Sequence, residues 1–237
     1  MCGRYAAILP ADSIAALFQI EGPLPDWAGT WNMAPTQSAP VIRRHPETGD
    51  RHLGLLRWGL VPHWAKDLKA TAQPINARGE TVARAPMFRD AFARRRCLIP
   101  ADAFYEWQTT ATGNLPPAVK VRPVIKVPPV IKLPWAIARA DGAPLVFGGL
   151  WEGWRGPGGT IVRSFSIITT AANQALRHLH ERMPVVVEEP DRALWLGEAP
   201  GDPRDLVRPS AAGFRTWRVG TAVNNVRNDS AALLDPV

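Results

Sequence analysis

The chain has 237 residues, 46 % of them hydrophobic and 21 % charged, which suits one large domain or two small ones and excludes global disorder. No apolar run reaches the roughly 18 residues of a membrane span, no basic segment precedes an apolar block at the start, and two cysteines exclude a disulfide framework or a paired-cysteine metal cluster; a cytoplasmic protein without a cofactor is expected. The formal net charge is +7 and only five of the 28 basic residues are lysines, a bias toward the phosphate-matching arginine fork that points to a polyanionic partner or to genome composition alone.

Residues 3–9 fit a short strand. "PADSIAALFQI" predicts a helix with Ile14, Leu17 and Phe18 on one face, and "EGPLPDW" breaks it. "GLLRWGLVPHW" (54–64) reads as a buried strand running into a proline turn, and "PINARGET" (74–81) as a loop. "APMFRDAFARRR" (85–96) predicts a helix with Pro86 in its first turn and Met87, Phe88, Ala91 and Phe92 on one side. "CLIP", "FYEWQ", "PWAIARA", "PLVFGGLW" and "IVRSFSIIT" read as strands, "ANQALRHLHE" as a helix and "MPVVV" as extended. Short strands outnumber helices without regular alternation, so the expected class is α+β: one domain with a largely antiparallel or mixed β core flanked by short helices. Residues 115–134, with "PVIK" twice and lysines at 120, 126 and 132, predict an extended surface insertion or long hairpin tip between strands, either neutral or a basic arm that touches nucleic acid or a partner.

The chain opens "MCGRY". Removal of Met1 leaves Cys2 with a free α-amine and a thiol on adjacent carbons. The amine titrates near about 7.7–8.0 and a free thiol near about 8.5, so part of the amine is neutral at physiological pH. An amine adds to an aldehyde to give a Schiff base, and the neighbouring sulfur closes on the same carbon as a five-membered thiazolidine. The second step is intramolecular and gains the effective concentration of oriented groups. The competing reading of Cys2 is an ordinary buried cysteine.

Such chemistry needs proton donors and acceptors. Glu106 lies among Phe104, Tyr105 and Trp107, which favours either a desolvated proton shuttle or a plain strand glutamate. His180 precedes Pro184 near an expected turn, either functional or structural. Asn76 and Arg78 sit in "INAR", where an amide can orient an amine or a sugar oxygen and a guanidinium can clamp phosphate; turn chemistry is the alternative. Arg78, Arg84, Arg89, Arg94, Arg95 and Arg96 face only Glu80 and Asp90, so this stretch lines a nucleic-acid groove or is a solvated helix face. Trp58 and Trp64 bracket the proline turn as candidates for stacking on bases. Cys97 reads as an inert core residue.

Together, "MCGRY", "WNMAPTQSAPVIR", "RWGLVPHWAKD", "INARGETV", "FRDAFARRRCLIPADAFYEW", "FGGLWE", "SIITTAAN…LHERMPV" and "VNNVRND" resemble, in order, the SOS-response-associated peptidase (SRAP) family from Met1 to about Asp229. The resemblance implies a single domain over 1–237 that senses abasic sites in single-stranded DNA, including single-strand/double-strand junctions. It implies a monomer associated with the nucleoid. Cys2 would crosslink covalently to the ring-opened sugar, Asn76 would position reactants, Glu106 would handle protons and His180 would assist ring opening. Arg4 and Arg78 would contact phosphate. Weak lyase activity and autocatalytic removal of Met1 are further implications. Two rival readings remain: an N-terminal-nucleophile glutamine amidotransferase, which requires a four-layered αββα fold, and a non-covalent single-strand binding module.

Overall fold

A computed structural model describes residues 2–68, 71–111 and 130–237. In chain order the elements are β1 (Tyr5–Ala7), α1 (Ala11–Phe18), β2 (Thr30–Met33), β3 (Ser38–Arg44), β4 (Arg51–Trp58), β5 (Asn76–Arg78), α2 (Gly79–Val82), α3 (Arg89–Arg94), β6 (Arg96–Ala101), β7 (Ala103–Ala111), β8 (Val130–Arg139), β9 (Leu145–Arg155), β10 (Ile161–Ala171), β11 (Arg182–Pro184), α4 (Arg192–Leu196) and β12 (Phe214–Arg218). The class is the expected α+β fold. Among the described residues no helix is long and apolar enough to cross a membrane.

Two sheets share one core. In the first the order is β12-β8-β7-β1-β2, all antiparallel. In the second, β10-β4-β3-β6-β9 closes back through a β9–β10 pairing, so these five strands form a barrel without a free edge inside the ring. β10 is the hub: β4 and β5 lie parallel along one side of it, β9 and β11 antiparallel along the other.

Strand alternation assigns each row of side chains to a layer. On β6, Cys97, Ile99 and Ala101 enter the central core with Tyr5, Phe104, Trp58, Phe147 and Phe165, while Leu98 enters the layer beneath the helices with Ile14, Phe18, Phe92 and Trp195. The outer face of the first sheet (Ala6, Ala103, Tyr105, Ala136) is covered by Val219, Val223 and Leu233 from the C-terminal segment. Each fully buried large apolar side chain contributes about 1.5–3 kcal/mol.

Three sequence expectations need correction. "ANQALRHLHE" is not a helix but a chain of turns. Ala171 pairs directly with Arg182 across β10 and β11, so the connection must start and finish side by side, whereas a ten-residue helix would separate its ends by about 15 Å. The Asn173 side chain caps the first turn by accepting from the Leu176 N–H. "PINARGET" is not a loop: Asn76–Arg78 forms β5 because β10 runs past the end of β4 and leaves backbone groups to pair. The helix expected over 85–96 shortens to Arg89–Arg94, with Ala85–Phe88 as a turn. At the end of the proline-rich segment, Val130–Pro134 is strand opposite Trp107–Ala111 of β7; the rest of that segment, with Lys120 and Lys126, lies outside the described residues.

Candidate active site

The strand register delivers Cys2. β1 pairs with β7 through Tyr5↔Phe104 and Ala6↔Ala103, and the Tyr105 N–H donates to the Arg4 carbonyl at 2.9 Å. Continued two residues, that register sets Cys2 beside Glu106 and Trp107. Asn76 holds the other side: its Nδ2 donates to the Cys2 carbonyl at 2.8 Å, from a strand fixed by the Asn76↔Ile167 pairing. Cys2 is fully buried. Burial first, and the negative field of Glu106 second, push its thiol well above the ordinary range, so sulfur rests in the protonated form. The thiol makes a long contact to the Arg4 carbonyl at 3.9 Å.

Glu106 follows Phe104 on the inward row of β7 and is 4 % exposed, a carboxyl where the apolar row would otherwise continue. The next inward residue, Gln108, donates from Nε2 to the His178 carbonyl at 3.1 Å. Trp135, opposite Glu106 on β8, meets the His178 ring edge-on at 6.1 Å. One row of β7 thus supplies the carboxyl and tethers the histidine loop. His180 Nδ1 accepts from the Arg182 backbone N–H at 2.9 Å, so in the neutral ring the proton is on Nε2. Arg182 in turn forks onto Glu80 and donates to the Thr169 carbonyl at 2.6 Å. Glu106, Trp107, Lys132, His180 and Asn224 line an open cleft of about 380 Å³.

The far wall is the "VNNVRND" segment, pinned to β2. Asn32 is buried, and its Nδ2 donates to the carbonyls of Val223, Asn225 and Asn228. Asp229 accepts from the Trp31 N–H and the Thr30 hydroxyl. Asn224 Oδ1 accepts from Trp107 Nε1 at 2.7 Å. Arg4 joins the clamp: its Nη1 donates to Asn32 Oδ1 and the Val223 carbonyl, both at 2.8 Å, and it sits over the Trp107 ring.

Cys2, Asn76, Glu106 and His180 therefore converge from four separate elements. Arg78 leaves the same strand as Asn76, two residues on and exposed, and Arg84 is exposed beyond α2. Trp64 is 52 % exposed. Trp58 is a correction: it is fully buried, stacked on Phe165, with Nε1 donating to the Ile75 carbonyl at 2.9 Å. It packs the core and fixes the residue before Asn76, and no base can reach its face. Sequence reasoning missed Asn32, Asn224 and Lys132 as parts of the site. Only the buried-asparagine clamp had a signal, an asparagine between apolar strand neighbours in "TWNM". Among the described residues no group of three His, Cys, Asp or Glu side chains is arranged to hold a metal.

A five-stranded barrel packed against a second antiparallel sheet, with Cys2 held by Asn76 beside Glu106, defines one class of protein. The family model described as "SOS response associated peptidase (SRAP)" matches residues 1–226, and the chain belongs to that family. It is 34 % identical over 241 residues to the abasic site processing protein YoqW of Bacillus subtilis, covering 99 % of each chain. It is 29 % identical over 271 residues to the abasic site processing protein HMCES of Pongo abelii, covering 100 % of this chain and 76 % of that one. Among solved structures, a protein from Bacteroides thetaiotaomicron shares the fold with a TM-score of 0.80 at 18 % identity over the full length of both chains. A protein from Bordetella bronchiseptica superposes with a TM-score of 0.72 at 28 % identity over 92 % of this chain and all of that one. This architecture is not the αββα sandwich that the amidotransferase reading requires.

Proposed function

We propose that this protein processes abasic sites in single-stranded DNA, junctions included, by forming a thiazolidine between Cys2 and the opened sugar after Met1 is removed. The observation that carries the reading is the fixing of Cys2 between two groups of complementary use: Asn76 on its carbonyl and Glu106 beside its thiol. Asn76 Oδ1 is buried without a hydrogen-bond partner among the described residues, an acceptor suited to an α-amine once it is free.

The chemistry balances without a cofactor. As the closed sugar opens to its aldehyde, the proton of its anomeric hydroxyl passes to the ring oxygen, a transfer that His180 assists by donating a hydrogen bond from Nε2–H to that oxygen. The amine adds to the aldehyde carbon. The resulting hydroxyl takes a proton from Glu106 and leaves as water, giving an iminium. Glu106 then accepts the thiol proton as sulfur bonds to the same carbon. A thiol held protonated until that moment favours addition through nitrogen first. Closure removes the iminium, whose adjacent acidic proton would otherwise permit β-elimination and strand cleavage. The sulfur converts a lyase intermediate into a shield, and incomplete closure leaves weak lyase activity. The exposed Arg78 and Arg84, the partly buried Arg4 and the exposed Trp64 are the candidate DNA contacts; Lys132 at the cleft adds a further cation.

Intact-mass spectrometry of Met1-free protein incubated with an abasic oligonucleotide tests this. The expected product weighs the sum of the two less one water and resists borohydride. An adduct mapped to an interior side chain, or none at all, overturns the reading.

A further inference from the structure

The inward rows of the barrel take up arginines at the end where β3 and β9 finish and β10 begins. On β3 the row Ala39, Val41 ends in Arg43; on β10 the row Ile167, Phe165 continues through Arg163 to the exposed Ile161; on β9, Trp151 is followed by Gly153 and then Arg155. A cleft of about 290 Å³ opens there. Its lining includes Arg43, Arg155, Arg163, His45 and Trp151, and it contains no carboxylate. It shares no lining residue with the cleft at Glu106 and His180.

Arg43 is the unusual member. It is only 7 % exposed, its Nε is buried without a hydrogen-bond partner, and among the described residues it forms no ion pair. Its guanidinium lies over the Trp151 ring at 4.8 Å, which fixes its plane. Arg155 and Arg163 likewise pair with no carboxylate among the described residues. Positive charge concentrates here: burial first and then Arg163 weaken the basicity of Arg43, and burial followed by Arg43, His45 and Arg163 does the same to His52. A buried guanidinium without a counter-charge is costly, and an oriented arginine set on an aromatic plane suits the oxygens of phosphate. Gly153, opposite Arg163, leaves room: a Cβ there meets nothing within 4 Å.

We propose that this mouth of the barrel is a second binding site, for the phosphoryl groups of a phosphate-bearing ligand, distinct from the cleft at Glu106 and His180. The ligand is either a stretch of nucleic-acid backbone or a small phosphorylated molecule. Both present the same oxygens to Arg43, Arg155 and Arg163.

The test uses the full chain and two probes: an undamaged single-stranded oligonucleotide, which keeps the result independent of adduct chemistry at Cys2, and inorganic pyrophosphate. Arg163→Glu and Gly153→Glu are compared with the unaltered protein; both positions face open space, and thermal melting verifies the fold. If nucleic acid is the ligand, both variants bind the oligonucleotide about tenfold more weakly and the slope of log K against log salt becomes shallower by about one. If a small molecule is the ligand, pyrophosphate binding measured by calorimetry is lost in both while oligonucleotide affinity holds. Unchanged affinity of folded variants for both probes overturns the proposal.

Discussion

The surroundings of Cys2 and the arginine-lined mouth of the barrel are built on opposite plans. Around Cys2 the groups are locked by protein partners: Asn76 on the Cys2 carbonyl, Arg182 on His180, Gln108 on the histidine loop and Asn32 on three carbonyls of the far wall. At the barrel mouth the arginines have no acidic partner among the described residues. Locking suits bond formation, where small misplacements cost rate. Unpaired charge suits affinity, where the ligand itself supplies the missing partner.

Perturbing the locked end should produce the larger effects. Cys2→Ala should abolish the borohydride-resistant adduct entirely and leave an amine adduct that forms only under borohydride, together with weak strand cleavage. A resistant adduct at the normal rate in that variant would remove sulfur from the chemistry. Glu106→Gln should slow adduct formation by about 10²-fold or more, as loss of a positioned acid–base group does. Single-turnover kinetics on denaturing gels reads this, and an unchanged rate would make Glu106 merely structural. Asn32→Ala strands buried carbonyls and should cost about 1–3 kcal/mol in denaturant unfolding, with slower crosslinking as the wall loosens. Full stability would show that the wall is held elsewhere.

The smallest effect concerns pH. Hydrogen bonds from Arg182 first, outweighing partial burial, hold the Glu80 carboxyl below its ordinary value. A carboxyl lowered in the folded state stabilises above its unfolded pKa, and that contribution is lost as pH falls through the folded one. Glu80 is half exposed, so the gain is small. Melting temperatures of the unaltered protein and Glu80→Gln should differ slightly near neutral pH and converge in acid. A gap that widens on acidification contradicts the pairing.

Local pattern made much of the framework legible. The apolar spacing of Ile14 and Phe18 marked α1, and the apolar runs around Leu98, Phe104, Phe147 and Phe165 marked strands that the structure contains. The failures share a cause, since each depends on a partner distant in sequence. Asn76–Arg78 looks like a loop until β10 pairs with it. The 173–181 segment looks helical until Ala171 and Arg182 are seen to be neighbours. β3, with Pro40 inside it, had no strand pattern strong enough to read, yet it joins β4 and β6 in the ring. Trp58 was legible as aromatic but not as buried. At the site, the residue types and their motifs were readable. That Asn32 would clasp Val223, Asn225 and Asn228 was not, because no local rule links positions so far apart.

The ring of strands also sets an order of assembly during synthesis. β4 emerges early but cannot find its parallel neighbour until β10 has left the ribosome; the Val61 N–H waits for the Ser164 hydroxyl, 103 residues later. Until then the nascent chain carries β3 and β4 with one flank unpaired, which makes translation from about residue 60 to residue 171 the interval in which a chaperone would have most to cover.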